Sequence, residues 1–301
     1  MTADRLRLTL ILILFGAGWG LTQPLIKISV TAGLIFWQML IGTVVLGALR
    51  WRQLGQLPFS RRTVAVWLLI ATIGTLIPNT TSYRAAFHLP AGIMSIVIAT
   101  IPMMAFPIAL ALGNDQFSFR RLAGILLGLI GVGFIALPEA SLPERAMIAF
   151  LPLALVAPFC YACEGNIVAK WGTAGLDPVQ VLLGASAIGT IIALPLAFGT
   201  GHFFVPKAPF GLADLTLLLS STIHVFVYTG YVWLIGRAGP VFAGQISYLV
   251  SGTGVLWAML LLGETYSLWV WMALVCMVFG LLLVQPRVAE TKAVSNTAPH
   301  G

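Results

Sequence analysis

Two stretches of the sequence resemble each other at a distance of about half the chain. Residues 83–118 read YRAAFHLPAGIMSIVIATIPMMAFPIALALGNDQFS, and residues 231–267 read YVWLIGRAGPVFAGQISYLVSGTGVLWAMLLLGETYS. Tyr83 pairs with Tyr231 at a lag of 148 residues, and the Gly-Asn and Gly-Glu turns near the two ends pair at a lag of 150. Each stretch then runs into a Gly-containing apolar segment. The sequence therefore indicates an internal repeat.

The composition indicates a membrane protein. Apolar residue types make up 59% of the 301 residues and charged types 8%, whereas soluble domains carry about 25% charged residues. Nine acidic and sixteen basic residues are too few to cover a soluble protein of this length. The chain instead falls into apolar runs of about 20 residues, enough to cross a hydrocarbon core as helix. We therefore predict an all-α membrane protein.

Pro, Gly and charged residues divide the apolar runs into ten predicted spans. Asp177-Pro178 is typical of a helix start, and Gly239-Pro240 should break the chain before the ninth span. The polar tail is predicted to be disordered and cytoplasmic. The predicted spans are 8–28, 34–51, 64–83, 91–112, 120–137, 147–169, 178–198, 212–235, 241–262 and 268–285.

The basic residues predict the orientation of these spans. Twelve Lys and Arg residues fall at the N-terminus, in every second connection and in the tail, and four fall on the opposite side. The positive-inside rule then places both termini in the cytoplasm, in a plasma membrane of the bacterial inner-membrane type. The twelve are Arg5, Arg7, Arg50, Arg52, Arg61, Arg62, Arg120, Arg121, Lys170, Arg237, Arg287 and Lys292; the four are Lys27, Arg84, Arg145 and Lys207.

The repeat predicts two halves of five helices each, residues 8–137 and 147–286, followed by the tail 287–301. A weaker match joins Trp19-to-Lys27 with Ala162-to-Lys170. Because each half has an odd number of helices, the second copy must enter the membrane upside down. Inverted repeats of this kind are characteristic of secondary transporters, whose substrate site lies near the midplane between the halves.

Two short patterns resemble a known family. Trp19-Gly20 with Lys27 in the first span, and Leu262-Gly263-Glu264 before a short polar turn, resemble the drug/metabolite transporter superfamily of the EamA type. The resemblance covers about residues 8–286. It implies a ten-helix inverted-repeat carrier that moves small metabolites such as amino acids, often outward and often linked to protons.

The two halves depart from that pattern in different ways. The family usually has Pro in the fourth helix of each repeat; Pro102 fits, whereas the second half has Val250-Ser251. The first half has Asn114 where the second has Glu264. We interpret Glu264 as a structural cap. The substrate can therefore contact the two halves unequally.

Glu164 is the one carboxylate that the sequence places deep within a span. An ionised carboxylate in a low-dielectric site is costly, so this group should bind a proton or take a cationic partner. We interpret Glu164 as the proton-coupling residue; the alternative is a neutral, hydrogen-bonded Glu that fixes helix packing.

Other polar side chains inside the spans are candidates for binding a substrate, since such residues usually face a bundle interior or cavity. They share spacings of three or four residues, which place them on one helix face. His224 is the most ambiguous, because a histidine on an apolar helix is often a satisfied core residue. The candidates are Trp19, Gln23, Asn79, Tyr83, Tyr161, His224, Tyr228, Tyr231, Gln245 and Tyr248, and they are predicted to converge on one central space.

Other functional classes have weaker support. The basic residues form no patch, so no nucleic-acid partner is expected. Cys160 and Cys163 have CxxC spacing without a second ligand pair, so neither a metal nor a redox role is expected. No Walker motif, other cofactor motif or catalytic constellation occurs, which disfavours a membrane enzyme. A non-transporting scaffold or sensor remains the alternative to a transporter. Gly124 and Gly128 suit close helix contact, within one chain or between two copies, so a monomer and a homodimer both stay open.

Overall fold

The computed structural model describes residues 3–29, 34–52, 57–138, 140–201, 203–206, 208–238 and 246–284. Every regular element in these ranges is helical. The α-helices are α1 (Ala3–Ser29), α2 (Leu34–Leu49), α3 (Arg61–Ala71), α4 (Ile77–His88), α5 (Ala91–Ile98), α6 (Ile101–Leu112), α7 (Phe119–Ala136), α8 (Leu151–Trp171), α9 (Pro178–Gly199), α10 (Leu212–Ala238), α11 (Ile246–Leu262) and α12 (Leu268–Val284).

These helices fall where the ten spans were predicted. Seven continuous helical segments of the described chain are long and apolar enough to cross a membrane. The remaining three, α2, α11 and α12, are apolar helices of 16 or 17 residues. At 1.5 Å per residue they reach about 24–26 Å, slightly less than the ~30 Å of an average hydrocarbon core. The described chain thus contains seven helical segments of membrane-spanning length and three shorter apolar helices.

The third span is longer in the structure than the predicted residues 64–83, since its helical segment runs from Arg61 to His88. It begins with a capping box in which Ser60 and Thr63 satisfy each other's backbone N–H groups. One π-helical turn, Thr72–Leu76, joins α3 to α4 without a break. At its other end, the helix continues beyond Tyr83 to His88. Within it, Thr80 donates a hydrogen bond to Leu76 O, and Thr81 donates to Ile77 O and Pro78 O in the preceding turn.

The fourth predicted span, 91–112, is two helices in place of one. Helix α5 ends at Ile98 and α6 begins at Ile101, with Pro102 in the first turn of α6. Proline has no N–H to donate to a carbonyl one turn earlier, so the ladder is interrupted between the two helices. The prediction of a helix start at Asp177 is confirmed: its side chain caps α9 in a capping box with Gln180. The predicted break at Gly239-Pro240 lies outside the described residues, as does the tail.

Helices from the two predicted halves pack against each other throughout. Helix α1 lies against α10 and α11, α2 against α9 and α10, and α3 against α9. Helices α4 and α6 lie against α8, α5 against α11, and α7 against α12. The largest buried cluster, which includes Ile93, Met103 and Met277, is therefore shared by both halves.

The glycine stripe on α7 packs within the chain. A Cβ at Gly124 would overlap Gly280 O and Val284 of α12, and one at Gly131 would lie 2.8 Å from Cγ of Met277. A Cβ at Gly128 would overlap the sulfur of Met103. Of the two interpretations left open by the sequence, these glycines serve close helix contact inside one chain.

Gly184→Ala should destabilise the protein, whereas Gly165→Ala should not. A Cβ at Gly184 would overlap the ring of Trp67, which is 2% exposed and held by a 3.0 Å hydrogen bond from Nε1 to Gln180 O. Overpacking of this kind costs about 1–3 kcal/mol. Gly165 is also helical but has nothing within 4 Å of an added Cβ, so its change should be neutral or stabilising by up to about 1 kcal/mol.

Thermal unfolding of the two detergent-solubilised variants measures this difference. Equal melting temperatures would contradict the close contact between Trp67 of α3 and Gly184 of α9.

Candidate functional site

A hydrogen-bonded network of amide and phenol groups lies between α2, α4 and α8. The side-chain carbonyl of Gln38 accepts from Asn79 (Nδ2···Oε1 3.1 Å) and from the hydroxyl of Tyr83. Tyr161 completes the network from the second half by donating to Asn79 (OH···Oδ1 3.2 Å). Gln38 and Tyr83 are buried. Each half therefore contributes a polar group to one site inside the apolar bundle.

A small cavity of about 50 Å³ opens beside this network. Such a volume holds a few water molecules, far less than the ~300–1,000 Å³ typical of small-molecule pockets. In this conformation the helices are closed around it. Its polar lining includes Gln23, Asn79, Ser82, Tyr83 and Tyr161, and its apolar lining includes Ile26, Met94, Val97, Ile98, Ala154, Ala157 and Pro158.

Pro158 removes one backbone hydrogen bond of α8 beside this cavity. It lies inside α8 and has no N–H for the carbonyl of Ala154, the residue one turn earlier. Both residues line the cavity.

An aromatic cluster surrounds Trp19 on the neighbouring helices. The ring centroid of Trp19 lies 5.9 Å from that of His224, 6.2 Å from Tyr228 and 5.9 Å from Tyr231, all edge-to-face. Edge-to-face geometry is the favourable arrangement of aromatic quadrupoles. The predicted stripe on α10 therefore meets the predicted residue of α1. Ile98, Trp19 and Tyr231 all pack against the same buried apolar cluster, and Ile98 also lines the cavity, so the two features are neighbours.

The Glu164 side chain lies against the π-helical turn that joins α3 to α4. A Cβ at Gly74, within that turn, would come 2.7 Å from the carboxyl carbon of Glu164. Among the described residues, the carboxyl group of Glu164 receives no hydrogen bond, and it is close enough to Tyr161 and Tyr228 to interact electrostatically. Helical π-turns are frequent at functional sites. Here the turn and its glycine leave room for the carboxyl group.

The remaining candidates lie elsewhere or outside the described residues. Tyr248 packs against the largest core cluster and is not among the residues that line the cavity. Gln245 lies outside the described residues. Asn166, another polar residue of α8, holds α8 to α6 by donating from its amide to Ala105 O (3.0 Å). The geometry thus groups Gln23, Asn79, Tyr83 and Tyr161 around the cavity and Trp19 with the α10 stripe.

Sequence reasoning missed Gln38, the acceptor at the centre of the network. A signal was present, because Gln38 is the only amide side chain between residues 34 and 49. It has no polar neighbour three or four residues away on α2, so a search for paired polar residues passed over it. An isolated amide in an apolar span is therefore as strong a candidate for a binding residue as a pair of polar side chains.

Comparison with known proteins accords with this architecture. A "Probable amino-acid metabolite efflux pump" of Salmonella typhimurium strain LT2 is 32% identical over 194 residues, which is 60% of this chain. The alignment spans 62% of that relative, so less than two thirds of its length is matched. A crystal structure of a protein has a TM-score of 0.59 at 17% identity, covering 93% of this chain and 97% of the other. At that identity the likeness concerns the fold alone.

The family assignment rests on the whole chain. The model of the EamA-like transporter family matches twice, over residues 7–137 and 149–285. These two matches cover most of the sequence and include every described residue of the network and of the aromatic cluster. The chain is therefore an integral membrane protein that belongs to the EamA-like transporter family.

Proposed function

We propose that this protein is a secondary transporter that exports small metabolites such as amino acids. The observation that carries the proposal is the polar network of Gln38, Asn79, Tyr83 and Tyr161, built by both halves inside the apolar bundle. Amide and phenol groups bind the carboxylate and amino groups of small metabolites without placing a fixed charge in the membrane. The efflux role of the Salmonella relative supports the outward direction.

We infer a ten-span architecture of two inverted five-helix repeats, residues 8–137 and 147–286. The packing pairs named above for the overall fold support this, because exchanging each span for its repeat partner maps that set of pairs onto itself. The pairing of α1 with α10, spans one and eight, becomes that of α8 with α4, spans six and three, and both occur. The pairing of α1 with α11 likewise becomes that of α8 with α6. Three further pairs, of spans two and seven, four and nine, and five and ten, each consist of two repeat partners, so the exchange leaves them unchanged.

Glu164 is proposed to couple this transport to protons. Its carboxyl group has no hydrogen-bonding partner among the described residues, and the phenols of Tyr161 and Tyr228 and the thiol of Cys160 are near enough to interact with it electrostatically. In a closed site the protonated form is favoured, because an ionised carboxylate there is poorly solvated. Opening of the cavity to one side hydrates the group and favours release of the proton to that side. Binding and release would thus follow the conformational cycle.

The proposed location is the bacterial inner membrane with both termini in the cytoplasm. The proposed partners are the small-molecule substrate and the lipid bilayer, and we propose neither a nucleic-acid partner nor a cofactor. The protein would act as a monomer or a homodimer. A reporter active only in the periplasm, fused after Gln285, should give no signal, because the positive-inside rule keeps the basic side in the cytoplasm. The same reporter after Pro206, in the connection before α10, is the positive control. Activity after Gln285 would remove the even number of spans.

Uptake into proteoliposomes tests the proposed function. Purified protein should accelerate the movement of members of a panel of amino acids and other small metabolites, and an imposed pH difference should raise their accumulation. Protein-free liposomes provide the background. A folded protein that moves no member of a broad panel would favour the alternative, a non-transporting scaffold or sensor.

A further inference from the structure

A charged contact joins the two halves where α5 begins. The carboxylate of Glu264, in the connection between α11 and α12, accepts hydrogen bonds from the backbone N–H groups of Ala91 (N···Oε1 2.9 Å) and Gly92 (N···Oε2 3.2 Å). These groups open α5, whose N-cap residue Pro90 forms no side-chain cap. The sequence interpretation of Glu264 as a structural cap is thus right in kind, but the helix that it caps belongs to the other half.

Tyr266 strengthens the same contact. Its hydroxyl donates to the Glu264 carboxylate and accepts from the N–H of Gly92 (3.1 Å). A Cβ at Gly92 would overlap the Tyr266 ring, so only glycine permits this approach. Burial, followed by the hydrogen bond to Glu264, raises the pKa of the Tyr266 phenol. The hydroxyl therefore remains protonated and keeps donating to the carboxylate.

Lys27 holds the neighbouring helix end from α1. Its amine donates to Ala86 O (3.1 Å) and Leu89 O (2.5 Å) in the last turn of α4, and Glu264 attracts it electrostatically. A cation at a helix C-terminus and an anion at a helix N-terminus both suit the helix dipoles. Lys27, which the sequence places on the side opposite the cytoplasm, is thus bonded to protein carbonyls.

The equivalent turn in the first half also reaches across to the other half. Asn114 aligns with Glu264 in the repeat, and its amide donates to Asn166 O (2.9 Å). Lys170, which aligns with Lys27, donates to Leu112 O (2.7 Å) at the end of α6. The α5–α6 segment is thus held at both ends by the second half, by a carboxylate at its start and by neutral and amine donors at its end.

We propose that Glu264 and Tyr266 form a gate at the face where α1 ends, here termed the outer face. The gate closes the cavity by holding the start of α5 against the second half. Helix α5 supplies Met94, Val97 and Ile98 to the cavity lining, so its release opens the cavity to that face. This gate rests on the proposed transport function, because an alternating-access cycle requires a contact that forms and breaks. Charge-assisted hydrogen bonds are about twice as strong as neutral ones, so the resting protein keeps this face closed.

Cysteine labelling tests the gate without any substrate. Cys160, Cys163 and Cys276 are replaced by Ala, and Ser82→Cys provides a reporter in the cavity lining. A membrane-impermeant maleimide is applied to vesicles of both orientations. Glu264→Gln should raise the labelling rate from the outer face about tenfold, because it removes the charge from both bonds to α5. Tyr266→Phe should raise it less, since it removes one donor.

Asp214→Asn is the matched control. Its carboxylate, in the first turn of α10, also accepts a backbone N–H, that of Gly211 at 2.9 Å, but Gly211 immediately precedes the same helix. An unchanged rate in folded Glu264→Gln, or an equal rise in Asp214→Asn, would overturn the gate. If Glu264→Gln does not fold, an unchanged rate in Tyr266→Phe overturns it. A failure of transport in proteoliposomes with increased labelling would count against the proposed function and leave the gate intact.

Discussion

Glu164→Gln should transport substrate but lose the response of transport to a pH difference. Glutamine keeps the shape of the side chain against Gly74 and loses its ability to titrate. One proton moved per substrate across a one-unit pH difference supplies about 1.4 kcal/mol, which corresponds to about tenfold accumulation. The unmodified protein should therefore reach that accumulation in proteoliposomes, and the variant should only equilibrate the substrate.

Two further variants separate titration from general damage. Glu144→Gln changes an exposed carboxylate in the connection before α8 and should retain the full pH response. Gly74→Ala leaves Glu164 in place but displaces its carboxyl group, so it should weaken the response, whereas Gly165→Ala should not. Accumulation driven by the pH difference in Glu164→Gln would show that Glu164 is structural and that coupling lies elsewhere, with His224 the next residue to test.

Gln38→Leu should lower the stability of the folded protein and also abolish transport. The change removes the acceptor shared by Asn79 and Tyr83 and leaves two donors unsatisfied inside the bundle. Each unsatisfied buried donor costs about 1–3 kcal/mol, so the combined loss is about 2–6 kcal/mol. Thermal unfolding in detergent measures the stability, and proteoliposome uptake measures the transport.

Thr43→Val on the same helix is the comparison for Gln38→Leu. Its hydroxyl bonds to Met39 O of its own helix and makes a long, 3.4 Å contact with Thr190. Removing it should change stability by less than about 1 kcal/mol. Similar losses in both variants would indicate that α2 tolerates no polar-to-apolar change, and the special role of Gln38 would be wrong.

Hydropathy predicted the helix positions well because it measures the apolar stretch that a bilayer requires. The observed bounds of α2, α9 and α12 lie within two residues of the predicted spans. Differences occur at the end of the third span, where the helix continues beyond Tyr83 to His88. The interruption before Pro102 was equally invisible, because the residues on both sides are apolar.

The candidate site was predicted less completely, since a single helix face does not reveal what lies opposite it. Spacing along α10 grouped His224, Tyr228 and Tyr231 correctly, but only the packing of α1 shows that Trp19 lies among them. The acceptor Gln38 reaches its partners across 41 and 45 residues of sequence. Long-range contacts of this kind depend on tertiary packing, so the periodicity of residues along one helix cannot predict them.

The bond between Glu264 and the start of α5 has a consequence for how the chain is made. The acceptor lies 173 residues after Ala91 in the sequence. At about 5–20 residues per second, the ribosome supplies it roughly 10–35 s after α5 has emerged. Throughout that interval the opening N–H groups of α5 lack their carboxylate, which favours a partner such as water or a lipid headgroup at the membrane surface. Late helices thus complete an early one, and premature termination after α10 would leave the first half inserted without its cap.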